Sequence, residues 1–256
     1  MKKRILSLKP NLRIILFLLL GFLFLFILWQ ILSLTINAYI IPSPIKVIPA
    51  YISSFAFIAT YEAILATITR LVISVLFACI LGLILGLISG SYADFHRFLM
   101  PFISALRSVP TAVIILISIS IIKISFSPII VSFLITFPLI YEATYSGVKS
   151  IDRDLYDAMR LEGEYHWQTL LRVKLPIAMP YVLLSIIQAV GLGMKVTIMS
   201  EVLSGNNRSS GLGFSIAQAY YDADFIKIFV FALHAIVISI IFDLVATNFR
   251  KKSQFK

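Results

Sequence analysis

Residues 157–176, DAMRLEGEYHWQTLLRVKLP, are polar, charged and helix-prone, yet they lie between apolar runs long enough to cross a bilayer. Asp152 or Asp154 can cap the helix that leads into this stretch, since a carboxylate accepts from orphan amides and suits the positive end of the helix dipole. Leu155, Ala158 and Leu161 then repeat at helical spacing and form one apolar stripe. Gly163 breaks the helix or permits close backbone approach. A second helical piece, from Trp167 to Val173, is expected to end at Leu175-Pro176, where proline stops one helix and opens the next. The result is an elbow of two short helices at a membrane surface, shaped to sit in a partner's cleft.

The flanking runs decide the class. Hydrophobic residues make up 60% of the 256, charged residues 13%, and mean hydropathy is +0.99; soluble domains carry roughly 45–50% and about 25% respectively. The chain reads as an all-α integral membrane protein of one domain, 1–256. Apolar runs of spanning length fall near 12–34, 62–89, 99–122, 127–148, 178–202 and 226–249, with the third and fourth least clearly separated. Pro42-Ser43-Pro44 stops the first helix, and the amphipathic stretch 45–58 is expected to lie along the interface. The apolar core of the first run is too long for a cleavable leader.

The net charge of +10 would suggest nucleic acid if the basic residues formed an aromatic-studded patch. They stand instead at the ends of apolar runs. With the N-terminus inside, the cytoplasmic side collects Lys2, Lys3, Arg4, Lys9 and Arg13, then Arg97, then Lys149, Arg153, Arg160, Arg172 and Lys174, then Arg250, Lys251, Lys252 and Lys256. Only Lys46, Lys123 and Arg208 fall outside, so the orientation is N-in and C-in, with the loop 149–176 in the cytosol.

Catalytic chemistry is not expected. Cys79 is the single cysteine, and His96, His166 and His234 lack ligand spacing, so neither metal nor cofactor is expected. Walker-type loops, dinucleotide turns and nucleophile elbows are absent from the sequence. Energy must come from another subunit.

The spacing Asp157-Ala158, Gly163, Val173, Leu175-Pro176 resembles the signature loop of ABC importer permeases, the membrane subunits of binding-protein-dependent transporters. Further similar elements are Pro42-Ser43-Pro44, Leu106-Arg107-Ser108-Val109-Pro110, Gly147, Leu155, Trp167-Gln168, Ala178-Met179-Pro180, Lys195, Glu201 and Ser210-Gly211-Leu212-Gly213. Together they look like the branch that imports nitrate, alkylsulfonates, taurine and pyrimidine precursors of thiamine. Two departures stand out: Met159 replaces the usual small third residue of the loop, and Ile122-Lys123-Ile124-Ser125 replaces an aromatic-glycine element.

The resemblance implies two permease copies around a central path, cytosolic ATPase subunits gripping the loops, an extracytoplasmic substrate-binding protein, and a lipid-embedded, multi-pass location in the cell membrane. It assigns the tight ATPase contact to Asp157, Ala158 and Gly163, places Met159 among the coupling residues beside them, and gives larger contact area to Tyr165, His166 and Trp167, with Leu175 and Pro176 closing the element. Outer loop 204–224 would meet the binding protein.

Charges within spans are costly and should face partners or wet cavities. Arg70, Arg107, Glu142, Lys195, Glu201 and Asp243 qualify. Arg107, Pro110, Lys195 and Glu201 are expected at the translocation path, where the two cations would favour a small anionic or electron-rich solute; Pro110 would kink its helix and expose carbonyls. The alternative is structural pairing, Lys195 with Glu201 or Arg70 with a carboxylate. Gly82, Gly86 and Gly90, four apart, read as a close helix-packing face. A competing class, the ion-coupled secondary transporter, would show inverted repeats around an ion site; the sequence has no such repeat.

Overall fold

A computed structural model describes residues 10–152, 154–155, 167–205 and 209–253. The long apolar runs form helices: α1 (Pro10–Thr35), α2 (Pro44–Ser54), α3 (Ile58–Ser91), α4 (Ala93–Ser108), α5 (Thr111–Ile121), α6 (Ser127–Lys149), α7 (Leu175–Leu203), α8 (Leu212–Tyr221) and α9 (Phe225–Ser253). Among the described residues, five helices are long and apolar enough to cross a membrane, and α4 with α5 makes a sixth when the bent pair is taken as one span. The expected fold class holds.

Helices α3, α6 and α7 form the centre. Glycine sets their spacing: a Cβ built on Gly82 would lie 2.9 Å from Ile140 Cγ2, on Gly86 2.6 Å from Thr144 Cβ, and on Gly90 2.5 Å from Val148 Cβ. The constant offset shows α3 and α6 running side by side in the same direction, with backbones in near contact. Gly147 packs on Ala178 of α7, and Gly193 of α7 packs on Leu71 and Ser132. Without a hydrophobic force between helices in lipid, such small-residue contacts let dispersion hold the bundle. Leu71, Met194 and Leu212 fill one cluster; Ile103, Phe137, Ile140, Tyr141 and Ala189 fill another. On the orientation expected from the basic residues, the end of the bundle carrying Ser91, Lys149 and Leu175 is its inner end.

Three readings of the sequence change. The third span is not one kinked helix over 99–122. It starts at Ala93 and breaks between Ser108 and Thr111, where α4 and α5 meet at 98°. Pro110 cannot donate to a helical carbonyl, so it serves as the N-cap boundary of α5 rather than bending one helix.

Second, the helix beginning at Trp167 does not stop at Leu175-Pro176. It passes through a π-helical turn, Leu170–Lys174, directly into α7. Leu175 N–H reaches back to Leu170 O, so one extra residue is accommodated ahead of the position whose amide proline lacks.

Third, Lys174 is not a loop cation facing the cytosol: its side chain is 0% exposed, and Nζ donates to Ser91 Oγ at 3.1 Å.

Helix α2 occupies the amphipathic stretch. It buries Val47 and leaves Ile45, Ile48 and Ile52 exposed. Tyr51 and Phe55 pack on His234 of α9, at ring centroid distances of 4.5 and 5.0 Å. Helix α1 is exposed along nearly its whole side from Ile15 to Leu28 and joins the rest near its outer end. There Trp29 Nε1–H donates to Pro42 O, its ring stacks on Phe229, and Tyr39 Oη–H donates to Ala223 O.

Candidate functional site

The elbow 149–176 joins the inner ends of α6 and α7. Asp157, Ala158, Met159, Gly163, Tyr165 and His166 lie outside the described residues, and for Trp167 only the backbone is described. Both feet of the elbow are well anchored. Ile151 and Leu175 pack on Leu87, Val148 and Ala178, and Leu170 is 4% exposed. Pro176 is exposed in the first turn of α7. Together with the Lys174 to Ser91 bond, these contacts tie the elbow to the ends of α3, α6 and α7 at once.

The expected path residues separate into two kinds. Arg107 stands in the last turn of α4 and donates to Glu142 Oε1 of α6 at 2.9 Å, with side chains 60% and 39% exposed. The pair sits beside the break at exposed Pro110. Spanning that break, Phe102 and Leu106 of α4, Val109 between the helices, Ile117 and Ile121 of α5 and Leu134 of α6 line an apolar groove of about 300 Å³. Lys195 of α7 is exposed, and among the described residues its ammonium has no hydrogen-bond or ion-pair partner. Eight residues separate it from the outer end of α7, about 12 Å of helix.

Glu201 is placed differently. Its side chain is 0% exposed, enclosed between α3, α7 and the start of α8. Arg70 Nη1 donates to it at 2.6 Å, Thr67 Oγ1 at 2.9 Å and Gly213 N–H at 2.9 Å. Of the two structural pairings considered for these charges, Arg70 with a carboxylate is the one formed.

Thr67 and Lys174 escaped the sequence reading. Thr67 had a signal, since it lies three residues before Arg70 and shares its helix face. Lys174 had none, because a basic residue beside a charged loop reads as solvated. A further chain links half-buried His96 Nδ1 to buried Tyr141 Oη and Ser89 Oγ at 3.0 and 2.9 Å, with His96 stacked on Tyr145 at 3.9 Å. Groups of three or more metal-ligating side chains are absent among the described residues.

On the outer face, Ser210, Phe214, Gln218, Asp222, Lys227 and Phe231 surround an open pocket of about 400 Å³. Asp224 precedes α9 and accepts from Lys227 N–H at 3.1 Å and from Lys227 Nζ at 2.9 Å. Partial burial works against this carboxylate, but the bonds from Lys227 outweigh it and hold the pKa below its ordinary value.

Residues 78–254 match the family described as "Binding-protein-dependent transport system inner membrane component". The chain is 27% identical over 197 residues to the "Probable ABC transporter permease protein" of Brucella melitensis, covering 76% of this chain and 78% of that one. It is 25% identical over 207 residues to the "Putative aliphatic sulfonates transport permease protein SsuC" of Bacillus subtilis, covering 78% and 73%. To the "Glycine betaine/proline betaine transport system permease protein ProW" of Escherichia coli it is 22% identical over 187 residues, covering 73% and 52%.

Proposed function

Since this chain belongs to the inner membrane components of binding-protein-dependent transport systems, we propose that it carries a small anionic or zwitterionic solute inward, driven through the elbow 149–176 by a cytosolic ATPase. As an ABC importer permease it is a multi-pass cell-membrane subunit without enzymatic activity of its own. ATP hydrolysis then belongs to a separate subunit, and solute capture to a binding protein.

The observation that carries the coupling role is the anchoring of the elbow. Its returning helical segment enters α7 without a break, through Leu170–Lys174, and Lys174 is fastened to the end of α3. A displacement imposed on Asp157, Ala158, Met159, Gly163, Tyr165, His166 and Trp167 would therefore move packed helices as bodies rather than bend a loose loop. Leu175 and Pro176 form the joint.

Lys195 supports an anionic or zwitterionic cargo. An exposed, unpaired ammonium within a span is stabilised by water or by a passing anion far better than by lipid. Arg107, half neutralised by Glu142, would stand beside the break at Pro110 and present a weaker positive site. The cargo class agrees with relatives whose names specify sulfonates and betaines. A second copy of the chain would close the path from the other side and cover Lys195 and Arg107 from lipid.

Purification from native membranes tests this reading. A nucleotide-hydrolysing subunit should remain bound, and deletion of the chain should abolish uptake of methanesulfonate or glycine betaine. Purification without such a subunit, together with ion-driven uptake in vesicles free of ATP, would favour the secondary-transporter alternative.

A further inference from the structure

Helix α8 supplies no side-chain cap at its own N-terminus. Gly211 stands at that boundary, and the first amides of the helix are satisfied by two other helices. Leu212 N–H donates to Thr67 Oγ1 of α3 at 2.8 Å, and Gly213 N–H donates to Glu201 Oε2 of α7 at 2.9 Å. A carboxylate from α7 thus sits at the positive end of the α8 dipole. Arg70 completes the arrangement: the same Nη1 serves Glu201 and, at 2.8 Å, Ser210 O, while its guanidinium lies 5.3 Å from the Phe214 ring centre.

The fit leaves no slack. A Cβ on Gly211 would come within 2.7 Å of Glu201 Oε1 and 2.8 Å of Arg70 Nη1, and one on Gly213 would collide with Ile198 O and Glu201 Cβ. Leu212, Phe214, Ala217 and Ala219 are buried behind the junction. A charge so enclosed holds its partners because each bond lost would leave a buried polar group unsatisfied.

We propose that Glu201, Thr67 and Arg70 form a permanent clamp that makes α8 one body with α3 and α7. Glu201 is then a positioning residue for the outer face. Any rotation given to α7 at its inner end reappears as a displacement of α8 and of the pocket beside Phe214 and Gln218. This second step rests on the proposed role of the elbow; the clamp itself does not.

Two measurements decide it. In a Cys79→Ser background, Ala63→Cys of α3 and Leu212→Cys of α8, side chains of one buried apolar cluster outside the hydrogen-bonded clamp, are joined by oxidation, and ATP hydrolysis by the purified complex is compared before and after reduction. The clamp predicts equal rates. Hydrolysis stopped by oxidation and restored by reductant would show α8 leaving α3 during the cycle and would overturn the proposal.

The second measurement needs no ATPase. Ala217→Cys, buried under α8, is exposed on intact cells to a membrane-impermeant maleimide. Labelling should be negligible in the parent and rise severalfold on adding Thr67→Val, and likewise with Glu201→Gln. Rapid labelling of the parent, or labelling unchanged by both substitutions, would sink the clamp. A complex that hydrolyses no ATP would count against the transport reading while this labelling still reports on α8.

Discussion

Lys195 is the residue on which the proposed cargo class rests most directly. It is exposed on α7 and unpaired among the described residues, whereas Arg107 is shared with Glu142 and Arg70 is consumed by Glu201. Removing a cation from a wet path costs a passing anion about 1 kcal/mol of attraction at contact distance, more where water is scarce. Lys195→Ala is therefore expected to weaken methanesulfonate uptake about fivefold or more while ATPase binding is kept, and Lys195→Arg to retain most of the uptake. Equal uptake by Lys195→Ala would remove the residue from the path. At this scale the sequence was partly readable. That charges in spans must find partners followed from the cost of burying them; which partner each finds depends on helix rotation, and composition does not encode it. Hence Arg70 was expected only with some carboxylate, Glu201 was offered to Lys195 instead, and Lys174 beside Ser91 was not foreseen.

Among the elements, the glycine face of α3 was legible because a four-residue period survives any tilt of the helix. Its partner α6 was not, since spacing on one helix says nothing about which neighbour fills it. Gly86→Ala should force α3 from α6 at Thr144 and cost about 1–3 kcal/mol, read as a lower unfolding temperature in detergent. A drop no larger than that of Gly21→Ala, where a Cβ meets open space, would contradict the close contact. The broken crossing and the π-helical turn illustrate the other limit. Proline at 110 and 176 announced a disturbance, but the angle and the extra residue are settled by packing.

Asp224 gives a pH signature at the start of α9. Its carboxyl pKa is held below the ordinary value, so its stabilising bonds are fully present above the unfolded-state pKa and are lost as pH falls through the folded one. Asp224→Ala should lower stability by about 1 kcal/mol at neutral pH. The difference from the parent should shrink as pH drops below the carboxylate range. A gap constant with pH would show that the cap is not electrostatic.

For the whole molecule, a bundle with a rigid centre and an elbow fastened at both feet is suited to receive a push and pass it on. Gly163→Trp is expected to leave the protein inserted and its ATPase bound, with ATP hydrolysis no longer accompanied by uptake. Normal uptake by this variant would contradict docking at the elbow. The long apolar helices were readable from hydropathy, because the bilayer imposes a length rule regardless of packing.

Helix α1 stands apart from this machinery, bare along most of its length and tacked on through Trp29 and Tyr39 near one end. It behaves as a mooring line more than a strut. Apolar-for-apolar substitutions along its bare side are expected to be tolerated, and a fluorescent label or fusion partner carried there is expected to ride with the complex without altering uptake.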